Sequence, residues 1–66
     1  MQSLQFRRDI WTPILAMDWI EKNGFVPIKP VHITPHFLRY RLKQPEQGVM
    51  YRWVELGDGV YATYMY

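Results

Sequence analysis

The sequence predicts an α+β fold, in which one helix packs on a small antiparallel sheet of three to five strands. Thr-Pro and Asn-Gly pairs bracket a segment whose apolar residues have helical spacing, and this predicts the helix. Short apolar runs follow it, and a Gly-Asp-Gly tripeptide between the last two predicts a hairpin. The expected order is β-α-β-β-β-β, and residues 1–66 form a single small domain.

The first extended segment covers residues 3–11, with the sequence SLQFRRDIW. Its alternation is imperfect, because Leu4, Phe6 and Ile10 share one parity but Arg8 interrupts the run. Ser3, the only serine of the chain, lies near a terminus that we expect to fray.

The helix is predicted over residues 13–23. Thr12 is a good N-cap, since its hydroxyl can accept an unpaired backbone N–H, and Pro13 suits the first helical position. Gly24 favours the left-handed conformation that ends a helix. One face of the helix is apolar and is expected to cover the sheet, with Trp19 as the central core residue. That face consists of Leu15, Ala16, Trp19 and Ile20.

Two segments after the helix have strand character. Residues 26–33 are rich in β-branched side chains, but Pro27 and Pro30 cannot donate to a ladder, so an edge strand or a broken strand is expected. Residues 37–43 alternate regularly, which predicts a strand with one buried face. Its core-facing side chains are Leu38, Tyr40 and Leu42, and its outer ones are Phe37, Arg39, Arg41 and Lys43.

The end of the chain reads as a hairpin. Residues 49–56 and 60–66 are the two predicted strands, and Gly57-Asp58-Gly59 connects them. Gly and Asp tolerate the positive φ angles that tight hairpin turns need.

Composition narrows the class of protein. The chain has no cysteine, which excludes disulfides and Cys-based zinc sites, and three Trp, five Tyr and three Phe supply core mass instead. The net charge of +2 permits nucleic acid as a partner without demanding it. No apolar run approaches the ~18–20 residues of a membrane span, and MQSLQFRRD lacks a signal-peptide core. We therefore expect a soluble protein without a membrane partner that stays where it is made.

No catalytic constellation is visible. A nucleophile with its base, a phosphate-binding glycine loop and a carboxylate pair are all missing, so we expect neither an enzyme nor a cofactor. His32 and His36 are four residues apart, but Pro35 lies between them and the segment is not helical. Because no further ligands complete a coordination sphere, no metal site is predicted.

The basic strand is the candidate binding surface. Alternation places Arg39, Arg41 and Lys43 on one face, and Arg52 of a neighbouring strand is expected to join them. These cations could bind the phosphates of DNA or RNA, while unpaired bases stack on Phe37, Tyr51 or Trp53. A simpler interpretation is a solvated face that carries charge as a matter of course, partly neutralised by Glu46 and Glu55.

One part of the chain resembles a family. Residues 16–25 (AMDWIEKNGF), then Thr34, Arg39-Tyr40-Arg41 and Pro45, resemble a small domain found in tailed phages and large DNA viruses. The resemblance covers about residues 11–45, although Leu42 stands where the family has Gln. It implies a viral accessory protein of the host cytoplasm or the virion with a compact helix-plus-sheet fold, and it implies no activity. A shared Arg-aromatic-Arg motif could also be architectural, with a guanidinium clamping Asp18 or the Gly24 carbonyl region.

The aromatic C-terminus supports an alternative class, a structural or protein-binding module. Tyr61, Tyr64 and Tyr66 lie on an uncharged last strand, which would be a poor edge to leave bare. Such a strand would pair with a second copy, a virion component or a host protein that it inhibits.

Overall fold

A helix lies across one face of a five-stranded antiparallel sheet in the computed structural model of the chain, which describes residues 1–44 and 46–65. The elements are β1 (Ser3–Arg7), α1 (Pro13–Lys22), β2 (His32–Ile33), β3 (Phe37–Arg41), β4 (Tyr51–Gly57) and β5 (Val60–Met65). The order across the sheet is β2-β3-β1-β5-β4. The predicted α+β fold and the predicted element order are confirmed.

Both ends of α1 follow the predicted capping chemistry. The Thr12 hydroxyl accepts the backbone N–H of Leu15 at 3.3 Å, and Pro13 begins the helix. Asn23 is the C-cap, and its side-chain amide donates to the Trp19 carbonyl at 2.8 Å. Gly24 follows with a φ of 80°, the left-handed conformation expected there.

The buried stripe of α1 is narrower than predicted. Ala16 and Ile20 are fully buried against the sheet, whereas Leu15 is 53% exposed, so its assignment to the core was wrong. Because successive residues of a helix are about 100° apart, a stripe centred on Ala16 and Ile20 turns Leu15 toward solvent.

Phe6 is the centre of the core. Its ring meets Trp11 at a centroid distance of 5.1 Å, and Trp19 and Tyr40 at 5.6 Å each, all edge-on. Trp19 is only partly buried and stacks on Phe25, so the prediction that it occupies the centre was wrong. The buried apolar set is Leu4, Phe6, Ala16, Ile20, Leu38, Tyr40, Val60 and Ala62.

The first strand is the middle of the sheet. Ser3 pairs with Arg41 of β3 on one side and with Thr63 of β5 on the other, and it is 3% exposed. The expected fraying at Ser3 was therefore wrong, because two neighbouring strands hold it. β1 also ends early: the Trp11 N–H donates to the Arg7 carbonyl at 2.8 Å in a turn that leaves Ile10 exposed.

β2 forms one edge of the sheet, as the prolines predict. His32 pairs with Arg39 of β3, and Ile33 pairs with Leu38. Beyond the strand, the Ile28 N–H donates to the Arg41 carbonyl at 2.9 Å, so the edge segment continues alongside β3.

The predicted hairpin is confirmed at residues 57–59, where Gly57, Asp58 and Gly59 all have positive φ angles of 53–104°. β5 is not an edge, however, because it pairs with β1 as well as with β4. The predicted bare last strand was therefore wrong, and β4 is the strand at that edge. Tyr66 lies outside the described residues.

Candidate functional site

The face of the sheet opposite α1 carries the candidate site, and we call it the open face. Directly paired residues of neighbouring strands share a face, so the registers define which side chains belong to it. The core side chains Leu4, Phe6, Leu38 and Tyr40 alternate with these residues and lie under α1. The open face consists of Ser3, Gln5, Arg7, His32, Phe37, Arg39, Arg41, Tyr51, Trp53, Glu55, Tyr61, Thr63 and Met65.

A buried polar ladder forms the floor of this face. The Gln5 side-chain amide donates to the Ser3 hydroxyl at 2.6 Å, and the Thr63 hydroxyl donates to the Gln5 amide oxygen at 3.1 Å. All three residues are buried, and Gln5 is fully so. The ladder satisfies these side chains internally, as a buried polar group requires.

Three rings form a cluster over the open face. Phe37 of β3 meets Trp53 of β4 at 5.2 Å and Tyr61 of β5 at 5.7 Å, and Trp53 lies 5.9 Å from Tyr61. The cluster bridges across β1, whose Gln5 pairs with Tyr61. Trp53 remains 50% exposed, which leaves a large aromatic surface accessible to solvent.

The predicted cations lie beside these rings. Arg39 and Arg41 belong to β3, and Lys43 follows its end. A cavity of about 120 Å³ separates these cations from Tyr51 and Trp53. Its lining consists of Gln2, Ser3, Arg39, Arg41, Lys43, Tyr51, Trp53 and Thr63. The register places four residues in one row across the sheet: Arg41, Ser3, Thr63 and Trp53. The small side chains of Ser3 and Thr63 form the floor of the cavity, and the large ones of Arg41 and Trp53 form its walls.

The side chains of Arg39, Arg41 and Lys43 have no hydrogen bond or ion pair with any of residues 1–44 and 46–65. The Nε atom of Arg39 is moreover buried without a partner. Glu46 and Glu55, which could have neutralised this group, form no ion pair with it within the described chain. Apart from the buried Arg39 Nε, the donors of the two guanidinium groups and of the Lys43 ammonium therefore remain available for an external acceptor.

Arg52 does not join this group, so the predicted clustering was wrong. Arg52 pairs with Tyr64 and directly precedes Trp53 in β4. Because successive side chains of a strand point to opposite faces, Arg52 lies on the helix side of the sheet. Its strand β4 is also separated from β3 by β1 and β5.

The predicted tyrosine surface is divided between the two faces. Tyr61 belongs to the ring cluster on the open face, whereas Tyr64 is half-buried and packs against the core. Tyr66 lies outside the described residues.

The proposed clamp of an arginine on Asp18 is also wrong, because Asp18 pairs with Lys22 at 2.8 Å on the helix. That hydrogen bond and the charge of Asp18 raise the pKa of Lys22.

Sequence reasoning missed two parts of the site. Gln5 and Ser3 were not recognised as its floor, although their alternation with Leu4 and Phe6 was the available signal. His32 was considered as a metal ligand or as an ordinary surface or half-buried histidine, and not as part of the binding surface, yet it lies opposite Arg39 on the open face. Within residues 1–44 and 46–65, no three His, Asp or Glu side chains come close enough to hold a metal ion.

The described helix is too short and too polar to cross a bilayer. No family model matches the chain, and no curated protein or solved structure shows significant similarity to it. The resemblance to the viral domain family therefore stays a prediction.

Proposed function

We propose that the protein binds single-stranded nucleic acid, DNA or RNA, through the open face of its sheet. The observation that carries the proposal is the single cavity that places an exposed ring, Trp53, opposite the unpaired cations Arg41 and Lys43. Proteins that bind single strands combine a cationic surface for the phosphates with aromatic rings for the bases. A duplex hides the faces of its bases, so such a surface favours a single strand.

The chemistry of the cations supports a phosphate partner. A guanidinium group presents a planar fork of N–H donors that matches two phosphate oxygens, and its bonds to a charged acceptor are strong. Leaving the Arg39 Nε–H buried and unpaired costs free energy, on the order of 1–3 kcal/mol for such a group. A phosphate would recover part of that cost only where the Arg39 side chain moves to bring this N–H to the surface.

The ring cluster supports a base partner. Stacking of one base on an aromatic side chain contributes about 1–3 kcal/mol. Trp53 packs nearly perpendicular to Phe37 at a centroid distance of 5.2 Å, and this contact restricts its ring before a base arrives. A fixed ring loses little conformational entropy on binding.

Binding by so small a surface is expected to be weak and sensitive to salt. If Arg39, Arg41 and Lys43 each neutralise one phosphate, the logarithm of the binding constant should fall against the logarithm of salt concentration with a slope of about −2. The test is fluorescence anisotropy of labelled single-stranded DNA and RNA, with duplex DNA for comparison, between about 50 and 200 mM salt.

Two lysine variants provide matched controls. Lys43→Gln should weaken single-strand binding and reduce the steepness of the salt slope by about 0.7. Lys22→Gln removes the same charge from the helix, on the other side of the sheet, and should leave the slope unchanged. Failure of both single-stranded probes to bind at about 50 mM salt would contradict the proposal, as would equal effects of the two variants.

A second candidate, self-association, is favoured by the character of β4. This seven-residue strand is an edge of the sheet, and it exposes Trp53 and Leu56. A long edge with exposed apolar side chains can pair with the same edge of another copy. Light scattering over a wide concentration range should then show a dimer, and a constant monomer mass would exclude this candidate.

A further inference from the structure

A second cationic cleft lies at the β2 edge of the open face, and we call it the edge cleft. It has a volume of about 220 Å³ and is lined by Lys29, Pro30, His32, Arg39 and Arg41. It shares the two arginines with the cavity beside Trp53, which lies on their other side. Lys29 and His32 do not line the cavity beside Trp53.

The backbone holds this cleft in place at two points. His32 pairs directly with Arg39, so both side chains leave the sheet on the same face. The Ile28 N–H donates to the Arg41 carbonyl at 2.9 Å, which holds the neighbouring Lys29 beside the end of β3. Pro27 and Pro30 flank this short segment; each fixes its own φ, and Pro30 also restricts the backbone of Lys29, the residue before it.

The lining has one sign of charge. Three cations and an imidazole line the edge cleft, and none of its described lining residues carries a carboxylate. Cations this close to one another raise the free energy of the folded chain unless an anion joins them. The Nη groups of Arg39 and Arg41 are not among the buried unpaired atoms and form no hydrogen bond with the described residues, so they remain accessible to such an anion.

We propose that the edge cleft is a phosphate subsite, formed by Lys29, His32, Arg39 and Arg41. The donors suit a tetrahedral oxyanion, because guanidinium forks, an ammonium and an imidazole N–H can each reach a different oxygen. The cleft also has room for such a group, since a water molecule takes about 30 Å³. A strand whose base stacks on Trp53 would then cross the shared arginines and place a phosphate in the edge cleft. This extended path rests on the proposed function.

The direct test is a titration of the protein with inorganic phosphate, followed by NMR. The Nε–Hε resonance of Arg39 and the ring resonances of His32 should shift together and saturate. Arg7, which pairs with Asp9, is the internal control and should not shift with them. Absence of shifts, or equal small shifts of all arginines, would overturn the subsite.

Oligonucleotides test the same site in the bound strand. Lys29→Gln should weaken single-strand binding several-fold and reduce the steepness of the salt slope by about 0.7, with Lys22→Gln again unchanged. Oligonucleotides with and without a 5′-phosphate identify the source of the group. Tighter binding of the phosphorylated strand, lost in Lys29→Gln, would assign a terminal phosphate, whereas equal weakening of both strands would assign an internal one. If Lys29→Gln affects neither strand, the subsite is wrong.

The two proposals fail in different ways. If inorganic phosphate shifts Arg39 and His32 but no oligonucleotide binds, the nucleic-acid proposal fails and the subsite stands. If oligonucleotides bind in a Lys43-dependent way while phosphate and Lys29→Gln have no effect, only the subsite fails.

Discussion

Phe6 shows how one side chain can organise a small core. It lies on the central strand, so rings from the following turn, the helix and β3 all reach it: Trp11, Trp19 and Tyr40. Edge-on aromatic pairs contribute about 0.5–1.5 kcal/mol each beyond the area that they bury. In a chain without disulfides, this cluster replaces the covalent links that stabilise many domains of this size.

Truncation of Phe6 should therefore remove most of the stability. Phe→Ala in a core costs about 3–5 kcal/mol, and a 66-residue domain has roughly 3–10 kcal/mol in total. Leu15→Ala, on the exposed side of the helix, should change stability by less than about 0.5 kcal/mol. Urea unfolding followed by circular dichroism measures both. A Leu15→Ala cost comparable to that of Phe6→Ala would contradict the observed orientation of α1.

Tyr40 gives a prediction about pH. Burial raises the pKa of Tyr40 above its ordinary value of 10.0. The folded protein then holds this proton more tightly than the unfolded chain. The contribution of Tyr40 to the free energy of unfolding is therefore constant below pH 10 and falls as the pH rises above it. Tyr40→Phe should remove part of this alkaline loss. At neutral pH the variant should differ little, since the Tyr40 hydroxyl donates to the Pro13 carbonyl only at 3.4 Å. Thermal unfolding from pH 8 to 11 tests both statements, and an unchanged alkaline loss in Tyr40→Phe would contradict the first.

At the scale of the elements, β1 is the organising strand. It pairs with β3 and β5, and its side chains divide between an aromatic core and a polar ladder. On the helix side it contributes Leu4 and Phe6, and on the open face it contributes Ser3 and Gln5. A central strand with one polar face is unusual for a buried position, and the ladder makes it possible because Thr63 completes the hydrogen bonds.

The ladder makes a prediction about paired substitutions. Thr63→Val keeps the shape but leaves the Gln5 oxygen buried without a donor, which should cost about 1–3 kcal/mol. The triple variant Ser3→Ala, Gln5→Leu, Thr63→Val removes every partner at once and should be no less stable than Thr63→Val alone. Denaturant unfolding compares them. Strictly additive losses across the three positions would show that the ladder does not act as a unit.

At the scale of the whole molecule, the two faces of the sheet differ in composition. The face covered by α1 contains the buried apolar core, which stabilises the fold. The open face exposes aromatic rings and cations, and the Arg39 Nε there has no hydrogen-bond partner among the described residues. Arg39 pairs with Gln5 and Arg41 pairs with Ser3 across the strands. No carboxylate of the described residues forms an ion pair with either arginine. Such a division is expected where one side of a sheet folds the protein and the other binds a ligand.

Local features of this fold were predictable from sequence. The caps Thr12 and Gly24, the alternation of residues 37–41 and the turn at residues 57–59 each depend on neighbours in the chain. Their physics is a hydrogen bond, a side-chain parity or a positive φ, and each leaves a recognisable residue pattern.

The order of the strands was not predictable in this way, and three of the errors share that cause. Ser3 was expected to fray, β5 was expected to be an edge, and Arg52 was expected beside the arginines. All three depend on β1 lying between β3 and β5, which is a pairing between distant parts of the chain. Arg39 and Arg41 lie on one face of β3, as the alternation predicts, but the far wall of the cavity depended on this pairing.

The three tryptophans allow the most direct test of binding at the open face. Each indole N–H gives its own NMR signal, and single-stranded oligonucleotide should shift the signal of Trp53, which is half-exposed beside the cations. Trp11, which donates to the Asp58 carbonyl at 2.8 Å, and Trp19, which packs on the helix side, should not shift. The account is contradicted if Trp53 stays unmoved while oligonucleotide is bound, or if Trp19 shifts in its place.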